Sequence, residues 1–322
     1  MYSPFENLGP ETILAALESV GFEPNGSLLA LNSYENRVYQ AQTESLEFYV
    51  AKFYRPERWT HEAIKEEHDF SYELLDSDIS VVAPIKIEGS TIFDFSGYHF
   101  AIFPRQGGHP PNLENKDDLE VLSRSIARIH AIGSKKTFKH REIFSMERLG
   151  TRSREFILGS DFLPPELVES YATTSQNLLN AIDPSLIESQ QIRIHGDCHM
   201  GNVLWRNDIS HFVDFDDCLN GPPIQDLWML LSGERQDQLH QVNTILDAYN
   251  EFYEFNPATL TVIEPLRTLR MIHHAAWIGK RWEDPAFPLA FPFFNSARYW
   301  SDHILTLKEQ ESKLVEEPLY YL

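Results

Sequence analysis

An α+β fold in two unequal parts is what this 322-residue sequence predicts. Its first third alternates apolar and polar residues and concentrates β-branched and aromatic types, the texture of antiparallel strands. A stretch dense in Gly and Pro follows, Pro104-Arg105-Gln106-Gly107-Gly108-His109-Pro110-Pro111, and it reads as a linker. Beyond it, apolar residues recur at helical spacing. The expected division is therefore residues 1–103, a hinge at 104–111, and a larger, mainly helical part at 112–322.

The elements follow in order. Pro10 precedes Ile13, Leu14, Leu17 and Val20 at helical spacing, and Gly21 closes a short amphipathic helix. Strands are expected within 28–53, with the strongest signals at 37–40 and 48–53. Helical periodicity returns over 59–75 through Ile64, Phe70 and Leu74, so one helix is inserted among the strands. Two more strands, 91–95 and 98–103, turn at Gly97. In the second part, Leu119, Leu122, Ile126 and Ile129 mark one helix. Leu239, Val242, Leu246, Tyr249 and Tyr253 mark another, and a long one is expected over 262–282. Between them, residues 192–215 read as strand–turn–strand and carry most of the polar residues of interest. The sequence has no internal repeat.

Composition narrows the function. Apolar residues make up 42% and charged residues 23%, the balance of an ordinary globular protein. With 27 basic and 48 acidic residues the net charge is −21, which argues against nucleic acid and anionic membranes as partners. Two cysteines, Cys198 and Cys218, make no disulfide framework and fit a reducing cytoplasm. The N-terminus lacks a basic leader followed by an apolar run, and no stretch approaches the ~18 apolar residues of a membrane span. A cytoplasmic monomer is expected.

The densest chemical signal is His195-Gly196-Asp197-Cys198-His199-Met200-Gly201-Asn202, followed by Phe212-Val213-Asp214-Phe215-Asp216. It holds three oxygen-bearing side chains at fixed spacing, and Gly196 and Gly201 permit a tight loop before a strand. Phosphoryl transfer needs this set. One carboxylate, Asp197, orients an attacking hydroxyl and accepts its proton, while a carboxamide and a second carboxylate, Asn202 and Asp214, hold Mg²⁺ against phosphate oxygens. The phosphates also need a cation from elsewhere, and Val50-Ala51-Lys52-Phe53 supplies one inside an apolar strand. Its partner is a glutamate on the next helix: Glu67, which shares a side with Ile64 and Phe70, or its competitor Glu66.

Lys in a strand, Glu on the following helix, a linker, then HGDxHxGN and a strand ending in Asp resemble the protein-kinase-like superfamily. The form is similar to its aminoglycoside and choline phosphotransferase branch. Closer still, Leu31-Asn32-Ser33-Tyr34-Glu35-Asn36-Arg37-Val38-Tyr39, Lys52-Phe53-Tyr54-Arg55-Pro56-Glu57-Arg58-Trp59, Gln225-Asp226-Leu227-Trp228 and Arg281-Trp282-Glu283-Asp284-Pro285 resemble the bacterial stress response kinase A family, over nearly the whole chain. That resemblance implies a two-lobed fold binding ATP and Mg²⁺ between a small antiparallel-sheet lobe and a larger helical lobe. It implies a cytoplasmic Ser/Thr protein kinase of the stress response. Asp197 becomes the base, Asn202 and Asp214 the magnesium ligands, with Asp214 counted as catalytic too, and Lys52 the contact to the α/β-phosphates. Ser33 and Asn36 fall in the loop covering the nucleotide, which lacks the usual glycines. Adenine is expected against the backbone of Phe103 to Arg105. Asp226 is expected to brace the catalytic loop.

The same residues admit rival readings. His195 and His199 stand four apart, a zinc spacing only on a helix, which the glycines and following strand oppose. The Asp214-Phe215-Asp216 triplet resembles aspartyl-phosphate phosphatases, whose helix–strand repeats do not follow here. Arg267, Arg270, Arg281 and Trp282 either line a substrate cleft or form a solvated face. Cys198 is either a site of oxidative inhibition or, more commonly, a small packing residue. The alternative acceptor is a small molecule such as an aminoglycoside, choline, homoserine or sugar; a nucleotide-binding pseudokinase is the third reading.

Overall fold

A computed structural model describes residues 4–322. Five strands form one antiparallel sheet in the order β1-β2-β3-β5-β4: β1 (Pro24–Ala30), β2 (Arg37–Thr43), β3 (Phe48–Phe53), β4 (Phe93–Phe95) and β5 (Tyr98–Pro104). Alternation decides what each face carries. On β3, Ala51 and Phe53 join Phe100 and Ile102 of β5 in a core closed by Ile13 and Leu17 of helix α1 (Pro10–Glu18). Lys52, between them, points to the opposite face, paired across the sheet with Val38 and Ala101.

That second face is covered by helix α2 (His61–Leu75), whose first turn is capped by Thr60 accepting from the Ala63 N–H at 3.2 Å. Ile64 packs under the sheet with Tyr54 and Ala101, whereas Phe70 and Leu74 enter the large core of the rest of the molecule. A single helix thus ties the sheet to the helical body. Each fully buried Leu or Phe of this kind contributes about 1.5–3 kcal/mol.

The remaining helices are α3 (Lys116–Gly133), α4 (Arg152–Leu158), α5 (Val168–Asn180), α6 (Pro184–Glu188), α7 (Ile224–Trp228), α8 (Arg235–Tyr249), α9 (Ile263–Gly279), α10 (Ala286–Ala290) and α11 (Ala297–Lys313). The stripe Leu119, Leu122, Ile126 and Ile129 faces the core as its spacing requires. The segment between the parts is less free than its glycines and prolines suggest: His109 and Trp205 exchange both backbone hydrogen bonds, at 3.1 and 2.7 Å. Two small two-stranded antiparallel sheets, β6 (Ile192–Ile194) with β9 (Leu219–Gly221) and the hairpin β7 (Val203–Arg206) with β8 (Ile209–Phe212), frame the polar segment read above as strand–turn–strand. Among the described residues no helix is long and apolar enough to cross a membrane.

Candidate active site

The loop between β6 and β7 is built on a buried carboxylate. Asp226, fully inaccessible on α7, accepts the backbone N–H of His195 at 2.8 Å and of Gly196 at 2.9 Å, and His130 Nε2 lies 3.0 Å away. The expected brace is therefore in place. Gly196 has φ +87, and a side chain there would run into the Asp217 carbonyl. His195 is buried and its Nε2 lies 2.9 Å from the Val213 carbonyl, fastening this loop to the end of β8. His195 Nε2 is engaged by the Val213 carbonyl and His199 Nδ1 accepts the Gly201 N–H.

Asp197 projects from this loop. Its Oδ1 accepts from Arg270 Nη1 at 2.9 Å and its Oδ2 lies 3.4 Å from His199 Nε2. Burial works against the charge, but the His199 hydrogen bond and the Arg270 guanidinium hold the carboxyl well below the usual range. Asn202 donates its amide N–H to the Asp197 carbonyl at 2.9 Å, which leaves the amide oxygen as the acceptor side of the group. Asp214 follows β8 in the left-handed region, φ 58, with its carboxylate half exposed.

Lys52 meets these residues from the sheet. Its Nζ is 3.0 Å from Asp216, 3.3 Å from Glu67 and 3.3 Å from Asp214. Burial disfavours the ammonium, yet Asp216 and Glu67 outweigh it and hold the pKa well above the ordinary lysine value. Of the two glutamates, Glu67 is the one that pairs with Lys52; Glu66 instead accepts the backbone N–H groups of Lys139, His140 and Arg141 at 2.7–3.0 Å.

Ser33, Asn36, Asp197, Asn202, Asp214 and Arg270 line one cavity of about 670 Å³. The loop over it is held from within: Ser33 Oγ donates to the Asn36 carbonyl at 3.1 Å, and the Asn36 side chain accepts the Arg55 N–H at 3.1 Å. Small polar residues thus replace glycines there. Phe103 and Arg105 stand outside this lining. Phe103 packs edge-on against His68, and Arg105 donates to Gln40 at 3.1 Å.

The sequence missed several participants. Asp216 is the carboxylate nearest Lys52 and also binds Arg58, which reaches Asp217 at 2.6 Å as well. The run Asp214-Phe215-Asp216-Asp217 was the available signal. Arg141, buried over the Trp59 ring, donates to the Cys218 carbonyl at 2.9 Å and left no pattern to read. Of the four late candidates, Arg270 lines the cavity and Arg281 binds Glu35 at 2.5 Å. Arg267 instead covers Trp228, and Trp282 packs on Phe162 and Phe294. Cys198 is 1% exposed and its burial pushes the thiol well above the ordinary cysteine range, so it is a packing residue.

Residues 27–262 match the phosphotransferase enzyme family. Stress response kinase A of Shigella flexneri is 42% identical over 316 residues, covering 98% of this chain and 96% of the relative. The serine/threonine protein kinase RdoA of Salmonella typhimurium is equally similar over the same span. Among solved structures, an amicoumacin kinase in complex with AMP-PNP, Ca²⁺ and Ami superposes with a TM-score of 0.72 at 17% identity, over 96% of this chain and 94% of that one. A microcompartment-associated aminopropanol kinase follows with a TM-score of 0.67 at 18% identity, over 93% and 95%. These likenesses give the fold, the two-lobed protein-kinase-like one; the sequence relatives give the membership. The chain is a kinase that belongs to the phosphotransferase enzyme family, among the stress response kinase A proteins.

Proposed function

We propose that this kinase transfers the γ-phosphoryl group of ATP, with Mg²⁺, to a serine or threonine hydroxyl of a protein substrate in the cytoplasm. The observation that carries the reading is that Asp197, Asn202 and Asp214 line one cavity and that the buried Lys52, outside that lining, has its Nζ 3.3 Å from Asp214 although 162 residues separate them. The donor set suits magnesium, a hard cation that takes one or two carboxylates and keeps phosphate and water oxygens as its other ligands. Asn202 offers an amide oxygen and Asp214 a half-exposed carboxylate. When bound there, the ion supplies neutralisation of charge on the phosphate oxygens.

The chain's own residues do the rest. Lys52, charged at any physiological pH, reaches from β3 toward the α/β-phosphates, and Glu67 fixes its direction. Ser33 and Asn36 hold the loop that closes over the nucleotide. The oxygen of the acceptor hydroxyl bonds to the γ-phosphorus as the bond to the β-bridging oxygen breaks. Asp197 receives the hydroxyl proton and passes it to solvent. With its pKa held so low, Asp197 is a weak base; it first aligns the hydroxyl and takes the proton once bond formation has made that proton acidic.

The 42% identity to proteins named as a stress response kinase and a Ser/Thr kinase favours a protein acceptor. Small hydroxyl compounds, as in the names of the amicoumacin and aminopropanol kinases, are the second reading. Labelled phosphate transfer from ATP with Mg²⁺, to protein substrates and to a panel of amino alcohols, separates them. Asp197→Ala should lose transfer by ~10²–10⁴-fold. Equal transfer by parent and variant would end the proposal.

A further inference from the structure

The cavity has two walls of different charge. Toward the sheet stand Asp214, Asp216 and Asp217, answered by Lys52 and Arg58. The turn before α4 and helix α9 give the lining Arg148, Leu149, Leu266, Arg270, His273, His274 and Trp277, none of them a carboxylate, and Glu35 meets Trp277 from the facing loop. Burial lowers both histidines, His273 to about 3, so arginines carry the charge of this wall at neutral pH. Every other carboxylate of the cavity is committed. Glu35 is bound by Arg55 and Arg281, and Asp197 is the group that must meet the acceptor. In a protein of net charge −21, this wall is an exception.

Asp197 is occupied on both oxygens. The Gly201 N–H donates to His199 Nδ1 at 2.9 Å, which leaves the ring proton on Nε2, facing Asp197 Oδ2. That imidazole is pinned inside its own loop. Arg270 is not: its side chain is 43% exposed, and among the described residues it makes one hydrogen bond, to Asp197 Oδ1. Each Asp197 oxygen keeps a further lone pair for an acceptor hydroxyl, and the exposed, singly tethered Arg270 guanidinium keeps N–H donors free beside it. Those donors suit a second anion.

We infer that Arg270 selects the acceptor: the hydroxyl to be phosphorylated carries a carboxylate or phosphate beside it, which pairs with the Arg270 guanidinium next to Asp197. Arg148, 23% exposed and otherwise bound by Glu142, stands on the same wall. An amine acceptor finds two like charges there and no free carboxylate. The inference rests on the reading of Asp197 as the acceptor-binding residue. For a protein substrate it means Ser or Thr flanked by Asp, Glu or a phosphorylated residue.

The test is transfer from ATP with Mg²⁺ to Ser-centred peptides whose flanking positions hold Glu, phosphoserine, Ala or Lys, beside small hydroxy acids and amino alcohols. The parent should favour acidic over basic flanks by at least about tenfold in kcat/KM, a difference of ~1.4 kcal/mol. Arg270→Gln should level that preference and Arg270→Glu should reverse it; a role confined to structure would change neither order. A parent that favours basic flanks or none, or a preference that survives in both variants, overturns the inference while leaving the protein-kinase reading intact. Turnover of hydroxy acids with no peptide labelled overturns the protein acceptor and keeps the role of Arg270. Turnover of amino alcohols alone overturns both.

Discussion

The carboxylate of Glu35, in the loop between β1 and β2, accepts the indole N–H of Trp277 on α9 at 2.8 Å. The same carboxylate meets Arg281 at 2.5 Å and Arg55 at 3.0 Å, and Asp284 reaches back to Arg55 and Arg37 at 2.5 and 2.7 Å. Burial would raise the Glu35 pKa, but Arg58 and Arg281 pull it below its ordinary value. The loop that covers the cavity is therefore latched to the helical body by charge.

Glu35→Gln should spring that latch. It leaves three arginines around a neutral amide, and breaking such a buried group costs about 3 kcal/mol. Faster hydrogen exchange in residues 31–36 is expected, with a several-fold rise in the KM for ATP. Unchanged exchange in that loop would mean the latch holds without its charge.

This latch also marks the limit of sequence reading. Strand alternation around Lys52, the helical stripe of α3 and the HGD loop are local patterns, and local patterns survive into the fold. Glu67 could be preferred to Glu66 because helical phase with Ile64 and Phe70 fixes which way it points. Arg58 with Asp216, or Glu35 with Trp277, join residues 158 and 242 positions apart, and no periodicity encodes such meetings. Arg270 lay on a helix whose existence was legible; which of its faces turned to Asp197 was set by packing against α4 and was not.

Asp226→Asn tests the base of the loop that carries Asp197. The native carboxylate serves two backbone N–H groups and His130 from a fully buried position. An amide has one acceptor oxygen, so one buried donor loses its partner at a cost of about 1–3 kcal/mol. A lower Tm by several degrees should accompany a loss of kcat. Full activity with an unchanged Tm would show that the loop holds its shape by other means.

Both cysteines should behave as buried hydrophobes. Burial pushes the Cys218 thiol up to about 12 and the Cys198 thiol well above its ordinary value, so neither is a thiolate at neutral pH. A chromogenic thiol reagent should label neither in the native protein and both in denaturant. Cys198→Ala should keep most of the activity and the same peroxide sensitivity as the parent. Prompt native labelling of Cys198 would restore it as an oxidation site.

Acid should unfold the protein through histidines held neutral. His68, 1% exposed, lies between the Tyr54 hydroxyl and Thr91 Oγ1, each 2.8 Å away, and burial lowers its pKa to about 3. His273 falls to about 3 and His303 to about 4 for the same reason. Unfolded, each regains a value near 6.5. As pH drops from about 6.5 toward those folded values, the unfolded chain binds protons that the native one refuses. Stability then falls with pH by up to about 1.4 kcal/mol per unit for each histidine. Carboxylates with lowered pKa, such as Asp197 and Asp216, act in a separate window, below about pH 4, where their unfolded forms protonate first. Urea unfolding across about pH 4.5–7 should show the histidine slope. His68→Gln, which keeps a side chain able to bond Tyr54, should reduce that slope by about one proton. A slope identical to the parent's would mean that His68 is protonated in the native state.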